Sequence, residues 1–121
     1  MCDQPITLEV CVDSLSGAMA AQASGADRIE LNTGLPLGGL TPTPGLLTAI
    51  QEKITLPVIA MVRPRGAGFC YSQSEFESML LEIDWLLNSN STNLDPVTGI
   101  AIGFLDKTRQ VDLSRTKKIV E

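Results

Sequence analysis

Apolar and polar positions fall in alternating blocks along the chain. Residues 6–12 (ITLEVCV), 27–32 (DRIELN), 56–63 (LPVIAMVR) and 98–105 (TGIAIGFL) are short runs rich in β-branched residues, and each reads as a strand. Between them the period changes. Asp13 and Ser14 offer a cap to the Ala-rich segment 15–24, which predicts a helix closing at Gly25. Thr43 followed by Pro44 predicts a second helix start, with Leu46, Leu47, Ile50 and Ile54 on one face. Ser72 with Glu75 and Ser74 with Glu77 both have capping-box spacing, and Phe76, Met79, Leu80, Ile83 and Leu87 form the stripe of a third helix. Residues 88–98 (NSNSTNLDPVT) are polar and turn-rich and predict a loop. Residues 111–121 (VDLSRTKKIVE) open a fourth helix.

Four strand–helix units in series argue for a parallel sheet covered by helices. An open flavodoxin-like sheet meets that requirement, and so does a (β/α) barrel. The strand faces favour the barrel. Thr7, Glu9 and Cys11 share one face of the first strand; Arg28, Glu30 and Asn32 share one face of the second; Met61 and Arg63 share one face of the third. Charges at the centre of a sheet covered on both sides are costly unless paired. In a barrel that face points inward, and binding groups gather at the C-terminal mouth. Glu9 and Glu30 are then placed to pair with Arg63 inside the mouth. A purely structural ion-pair cluster satisfies the same pattern.

Composition narrows the function classes. The 121 residues suit one domain, and an apolar fraction of 44% with 19% charged residues is an ordinary globular mixture. A net charge of −5 with scattered basic residues argues against nucleic-acid binding. No apolar run approaches the length of a membrane span, and the N-terminal residues lack the pattern of a secretory leader. Cys2, Cys11 and Cys70 make an odd count without metal-site spacing, which fits a reducing cytoplasm, with Cys2 a terminal thiol. The chain has no histidine, so histidine catalysis and histidine ligands are excluded within it.

The segments LEVCVDS, GADRIEL, GGLTP, MVRPRG and FCYS, in this order and spacing through GFLD and VD near the end, resemble the CutC copper-homeostasis family. The resemblance implies a TIM-like (β/α)₈ barrel, a cytoplasmic location and copper handling. It also implies a chain about twice as long, with a histidine in the absent half. Residues 1–121 are therefore expected to supply a half-barrel of four βα units. Four strands cannot close an eight-stranded barrel, and an exposed inner face with open edges predicts a homo-oligomer.

Two departures from the family bear on the chemistry. A second cysteine usually ends the next strand; here that position is Asn32, a poor ligand for Cu(I). The family's RPRGGD is RPRGAG here, so Gly68 stands where an aspartate is expected. Cu(I) prefers soft sulfur ligands. Cys11 is the candidate ligand at the mouth, and Cys70 in the loop after the third strand is the candidate second one. A copper-binding or trafficking role is thus the first expectation. The alternative is a barrel enzyme acting on a small anionic metabolite. Glu9 or Glu30 would then serve as acid or base, with Arg63, Arg65 and Asn32 holding a phosphate or carboxylate beside the 34–39 glycine loop. A structural or assembly role without ligand is the third reading.

Overall fold

The computed structural model describes residues 4–88 and 95–121. Cys2 and the central part of the expected 88–98 loop lie outside the described residues. The element order is β1 (Glu9–Val12), α1 (Leu15–Ala23), β2 (Arg28–Leu31), α2 (Pro44–Lys53), β3 (Val58–Met61), α3 (Gln73–Leu87), β4 (Gly99–Ala101) and α4 (Leu113–Val120). The four strands form one parallel sheet in the order β1-β2-β3-β4. Consecutive parallel strands joined through helices are the repeating unit of a (β/α) barrel, here four units of it.

Local chemistry sets the helix starts. Ser14 accepts the Gly17 N–H at 3.0 Å, and Thr43 accepts the Leu46 N–H at 3.2 Å with Pro44 in the first turn. Of the two spacings at the third helix, Ser72 and Glu75 form the reciprocal box, with Glu75 N–H to Ser72 Oγ at 3.2 Å and Ser72 N–H to Glu75 Oε2 at 2.7 Å. Ser74 lies inside the helix. Asp112 caps α4 through the Arg115 N–H at 3.0 Å.

The strands are shorter than their apolar runs. A ladder ends where a neighbour ends, and that cannot be seen in one strand alone. At the start of β1 the Leu8 N–H donates to Asp27 Oδ2 at 2.7 Å, while its carbonyl accepts the Arg28 N–H at 3.3 Å. Beyond β4 the chain turns away, and Leu105 donates to the Phe69 carbonyl at 2.9 Å and bridges to Val111.

The helix-facing side of the sheet buries Val12, Ile29, Leu31, Val58, Ala60 and Val62. From α3, Phe76, Met79, Ile83 and Leu86 pack on it; Leu86 takes the place expected of Leu87, which is turned outward. Tyr71 and Phe76 meet Phe104 edge to face, with centroids 6.1 and 5.4 Å apart; each such pair contributes about 1 kcal/mol. The opposite face of the sheet carries Glu9, Cys11, Arg28, Glu30, Ile59, Met61, Gly99 and Ala101, none of them buried. The inward face of this half-barrel is open. The helix α4 buries no residue, and its apolar Leu113 and Val120 are exposed.

Candidate functional site

The rim of the sheet is built from the C-terminal ends of β1, β2 and β3 and the loops that follow. Register places Glu9 opposite Arg28 and Cys11 opposite Glu30, with Ile59 and Gly99 continuing the Cys11–Glu30 row across the sheet.

Glu9 is ion-paired with Arg28, its in-register neighbour. This corrects the expected grouping of Glu9 and Glu30 around Arg63. Arg63 lies two residues past the end of β3, and among the described residues no carboxylate pairs with it. Glu30 instead stands beside Cys11. The Cys11 thiol is pushed above its ordinary value, first by burial, then by the charge and hydrogen bond of Glu30, with Asp13 and Glu9 adding to the effect.

Asn32 follows β2 directly and is 1% exposed. Its Nδ2 donates to Cys11 Sγ at 3.1 Å and to the Glu30 carbonyl at 3.3 Å. The turn at Gly38 and Gly39 closes over it. A Cβ on Gly39, whose φ is +87°, would come within 2.5 Å of Asn32 Oδ1. A Cβ on Gly38 would come within 2.6 Å of Arg63 Nη1. Gly39 therefore needs glycine for close approach as well as conformation, whereas at Gly38 the left-handed φ of +95° is the requirement, since the tip of Arg63 can move aside. The Asn32 amide, expected among the anion-binding groups, is turned into the protein to support Cys11.

Arg63 is fixed at its backbone, donating N–H to Thr41 Oγ1 at 2.9 Å while its carbonyl accepts the Thr41 N–H at 3.0 Å. The Thr41 hydroxyl in turn reaches Glu82 Oε2 at 3.5 Å, and burial raises the Glu82 carboxyl above its ordinary value. The Arg63 guanidinium lies 4.6 Å over the Phe69 ring, and its Nη1 donates to the Gly38 carbonyl at 3.1 Å.

Arg65 plays a different part. Its Nε and Nη2 grip the two oxygens of Glu75 at 2.8 and 3.1 Å. Nη1 donates to the carbonyls of Gly66, Ala67 and Gly68, and Nη2 to that of Cys70. The guanidinium organises the whole 66–70 loop, including the left-handed Ala67. The same contacts hold the Glu75 carboxyl at about 2, with Arg65 the main cause and the Ser72 N–H next. Arg65 thus has its donors engaged within the loop, unlike Arg63.

Cys11 and Cys70 are both free and exposed, and no hydrogen bond joins them. Among the described residues no group of three or more Asp, Glu or Cys side chains is placed to hold a metal ion. No helix among them is long and apolar enough to cross a membrane. Tyr71 is the rim residue that sequence reasoning passes over. It is 5% exposed, and its ring lies beneath the Arg65 guanidinium at 4.9 Å. The available signal was a second aromatic residue, after Phe69, in the short loop 64–72.

Comparison with known proteins places the chain as a whole. The profile described as the CutC family matches residues 6–121. This chain belongs to the CutC family. A CutC family protein from Klebsiella pneumoniae subsp. pneumoniae is 45% identical over 113 residues, spanning 93% of this chain and 43% of the relative. One from Treponema denticola is 39% identical over 116 residues, spanning 96% of this chain and 45% of the relative. The crystal structure of the putative copper homeostasis protein CutC from Streptococcus agalactiae superposes with a TM-score of 0.74 at 26% identity, covering 96% of this chain and 54% of that one. The CutC chain described here therefore spans less than half the length of these curated relatives. Its parallel sheet is a half of the TIM-like barrel that the family resemblance implied.

Proposed function

We propose that this CutC chain handles copper in the cytoplasm by capturing Cu(I) on the Cys11 thiolate. The observation that carries the reading is the position of Cys11. Its thiol is exposed on the open inner face, held by Asn32 Nδ2 at 3.1 Å and flanked by Glu30, with Asp13 and Glu9 also acting on it. Sulfur is the donor Cu(I) prefers, and the surrounding carboxylates favour a cation as strongly as they disfavour a thiolate alone. Copper must therefore displace a firmly held proton, and capture strengthens as pH rises. Cys70, on the loop organised by Arg65, is the second sulfur this reading assigns.

The test is a titration of reduced protein with Cu(I) against a chromophoric competing chelator, with Cys11→Ser and Cys70→Ser in parallel. Loss of competition in Cys11→Ser, and partial loss in Cys70→Ser, is expected. Equal competition by Cys11→Ser and the parent chain refutes the assignment.

A further inference from the structure

On the helix side of the sheet, away from the Cys11 cluster, the chain entering α2 and one side of α3 enclose a groove of about 370 Å³. Thr41, Pro42 and Pro44 line one wall, and Leu81, Glu82 and Trp85 the other. Trp85 stands three and four residues beyond Glu82 and Leu81, so all three share one side of α3. The opposite wall is stiff. Pro42 and Pro44 have fixed φ, and Thr41 is tied to the Arg63 backbone twice, accepting its N–H on Oγ1 at 2.9 Å and donating its own N–H to the Arg63 carbonyl at 3.0 Å. The groove is therefore preformed.

Glu82 is the group in this groove that the fold leaves uncompensated. All nine lysines and arginines of the chain lie within the described residues, and none forms an ion pair with it. Its one hydrogen bond comes from the Thr41 hydroxyl to Oε2 at 3.5 Å, which is long for such a contact. Among the described residues no hydrogen bond reaches Oε1. Burial pushes the carboxyl above its ordinary value, the Thr41 hydroxyl opposes this, and no charged group on any neighbouring element acts on it. A carboxylate partly withdrawn from water is costly unless a cation stands beside it. The surface next to it is apolar and open. Leu81 is 74% exposed on a helix that otherwise turns its large apolar residues inward, and Trp85 is half-buried.

We propose that this groove binds a small primary alkylammonium ion, with its charged head on Glu82 beside the Trp85 indole and its carbon chain against Pro42, Pro44 and Leu81. The donor set favours an organic cation over a metal ion. Hard metal ions take several oxygen ligands, and the groove supplies one carboxylate among apolar walls. An ammonium head needs one strong acceptor, and an indole next to it adds cation–π attraction. A cavity of this size suits a small molecule, and its mixture of apolar lining with a single charged group is typical of such sites. The groove shares no side chain with the Cys11 cluster or with Cys70, so it stands or falls independently of copper.

The experiment titrates the 121-residue chain with n-butylammonium chloride at pH 7.5, with ionic strength held constant by sodium chloride. Trp85 is the only tryptophan of the chain, so its fluorescence reports on the groove directly. A saturable change is expected with a Kd on the order of 1 mM, the scale for a ligand of about five non-hydrogen atoms. Ammonium chloride presents the head without the chain, and butan-1-ol the chain without the charge; each should bind at least about tenfold more weakly. Glu82→Gln should also weaken butylammonium by about tenfold or more, the loss of one hydrogen bond between charged groups. An alkylammonium stays protonated below a pKa of about 10. The parent response should therefore fade as pH is lowered toward 4 and Glu82 takes up a proton. If Glu82→Gln does not fold, this pH series decides the matter. No saturable response at pH 7.5, an affinity unchanged in Glu82→Gln, butan-1-ol binding as tightly as butylammonium, or a response constant down to pH 4 overturns the proposal.

Discussion

Replacing Asn32 by aspartate changes one donor into an acceptor at constant shape and isolates what the amide does. Asn32 is 1% exposed, and its Nδ2 bonds both Cys11 Sγ and the Glu30 carbonyl. In Asn32→Asp both bonds are lost, at about 1 kcal/mol each, and a carboxylate is pressed against a carbonyl oxygen with no cation beside it. A buried charge left uncompensated costs about 3–5 kcal/mol, so the variant should lose about 4 kcal/mol at pH 8. The pH dependence follows in sign. Burial and the neighbouring Glu30 raise the folded-state pKa of the new acid above its unfolded value of about 3.9. The protonated acid can still donate one hydrogen bond. The deficit is therefore smallest below about pH 4 and grows as pH rises from the unfolded toward the folded pKa, by at most about 1.4 kcal/mol per pH unit. It is flat above the folded value. Urea unfolding of the parent chain and Asn32→Asp at intervals from pH 4 to 8 measures the difference. A pH-independent deficit, or a variant as stable as the parent at pH 8, would refute the orientation assigned to the amide and its role under the Gly38–Gly39 turn.

Three further outcomes test neighbouring groups. Cys11, held protonated by burial and by Glu30, should alkylate with iodoacetamide more slowly at pH 8 than in Glu30→Gln, read by mass spectrometry of the Cys11 peptide; equal rates would remove Glu30 from its surroundings. The Glu75 carboxyl is held at about 2 against an ordinary 4.5, so its stabilisation is full above pH 4.5 and fades as pH falls toward 2. The stability gap between the parent chain and Glu75→Gln should therefore be constant from pH 5 to 8 and shrink below that, whereas a gap unchanged in acid contradicts the Arg65 clamp. The open sheet and the exposed apolar residues Leu8, Leu113 and Val120 should make the chain self-associate, so light scattering at micromolar concentration should show a dimer or higher species rather than a clean monomer.

The features legible in the sequence are those whose physics is complete within a few residues. The Ser72–Glu75 box, the Thr43–Pro44 start and the inward placement of Glu9, Cys11 and Glu30 depend only on capping chemistry and strand alternation. The features misread depend on partners far along the chain. Strand ends were overrun because pairing stops when the neighbouring strand stops. A helical stripe read from one end leaves its far turn ambiguous by one residue, so spacing points to Leu87 where packing on the sheet selects Leu86. The shared strand faces point to Arg63 as the partner of the two glutamates. Register decides otherwise, since Arg28 stands opposite Glu9 and Arg63 lies beyond the strand end. The two arginines of RPRG look equivalent in sequence. Only the path of the 66–70 loop commits Arg65 to Glu75, while Arg63 turns to the Gly38 carbonyl and the Phe69 ring.

The rim thereby separates into two regions of opposite sign. Glu9, Glu30 and Asp13 surround the thiol of Cys11, while Arg63 and Arg65 flank Tyr71. Had the charges paired across the strands as the face pattern allows, they would have cancelled, and neither region would attract an ion. Two arrangements prevent this. Arg28 takes Glu9 in register, lower on the sheet, and the neutral amide of Asn32 fills the buried position after Glu30. A carboxylate at position 32 would extend the acidic region toward Arg63, and a cation would quench Cys11. An uncharged donor does neither; it holds Cys11 while the glycine turn closes over it. The neutral amide at the end of β2 thus keeps the acidic surroundings of Cys11 apart from the arginines that follow β3.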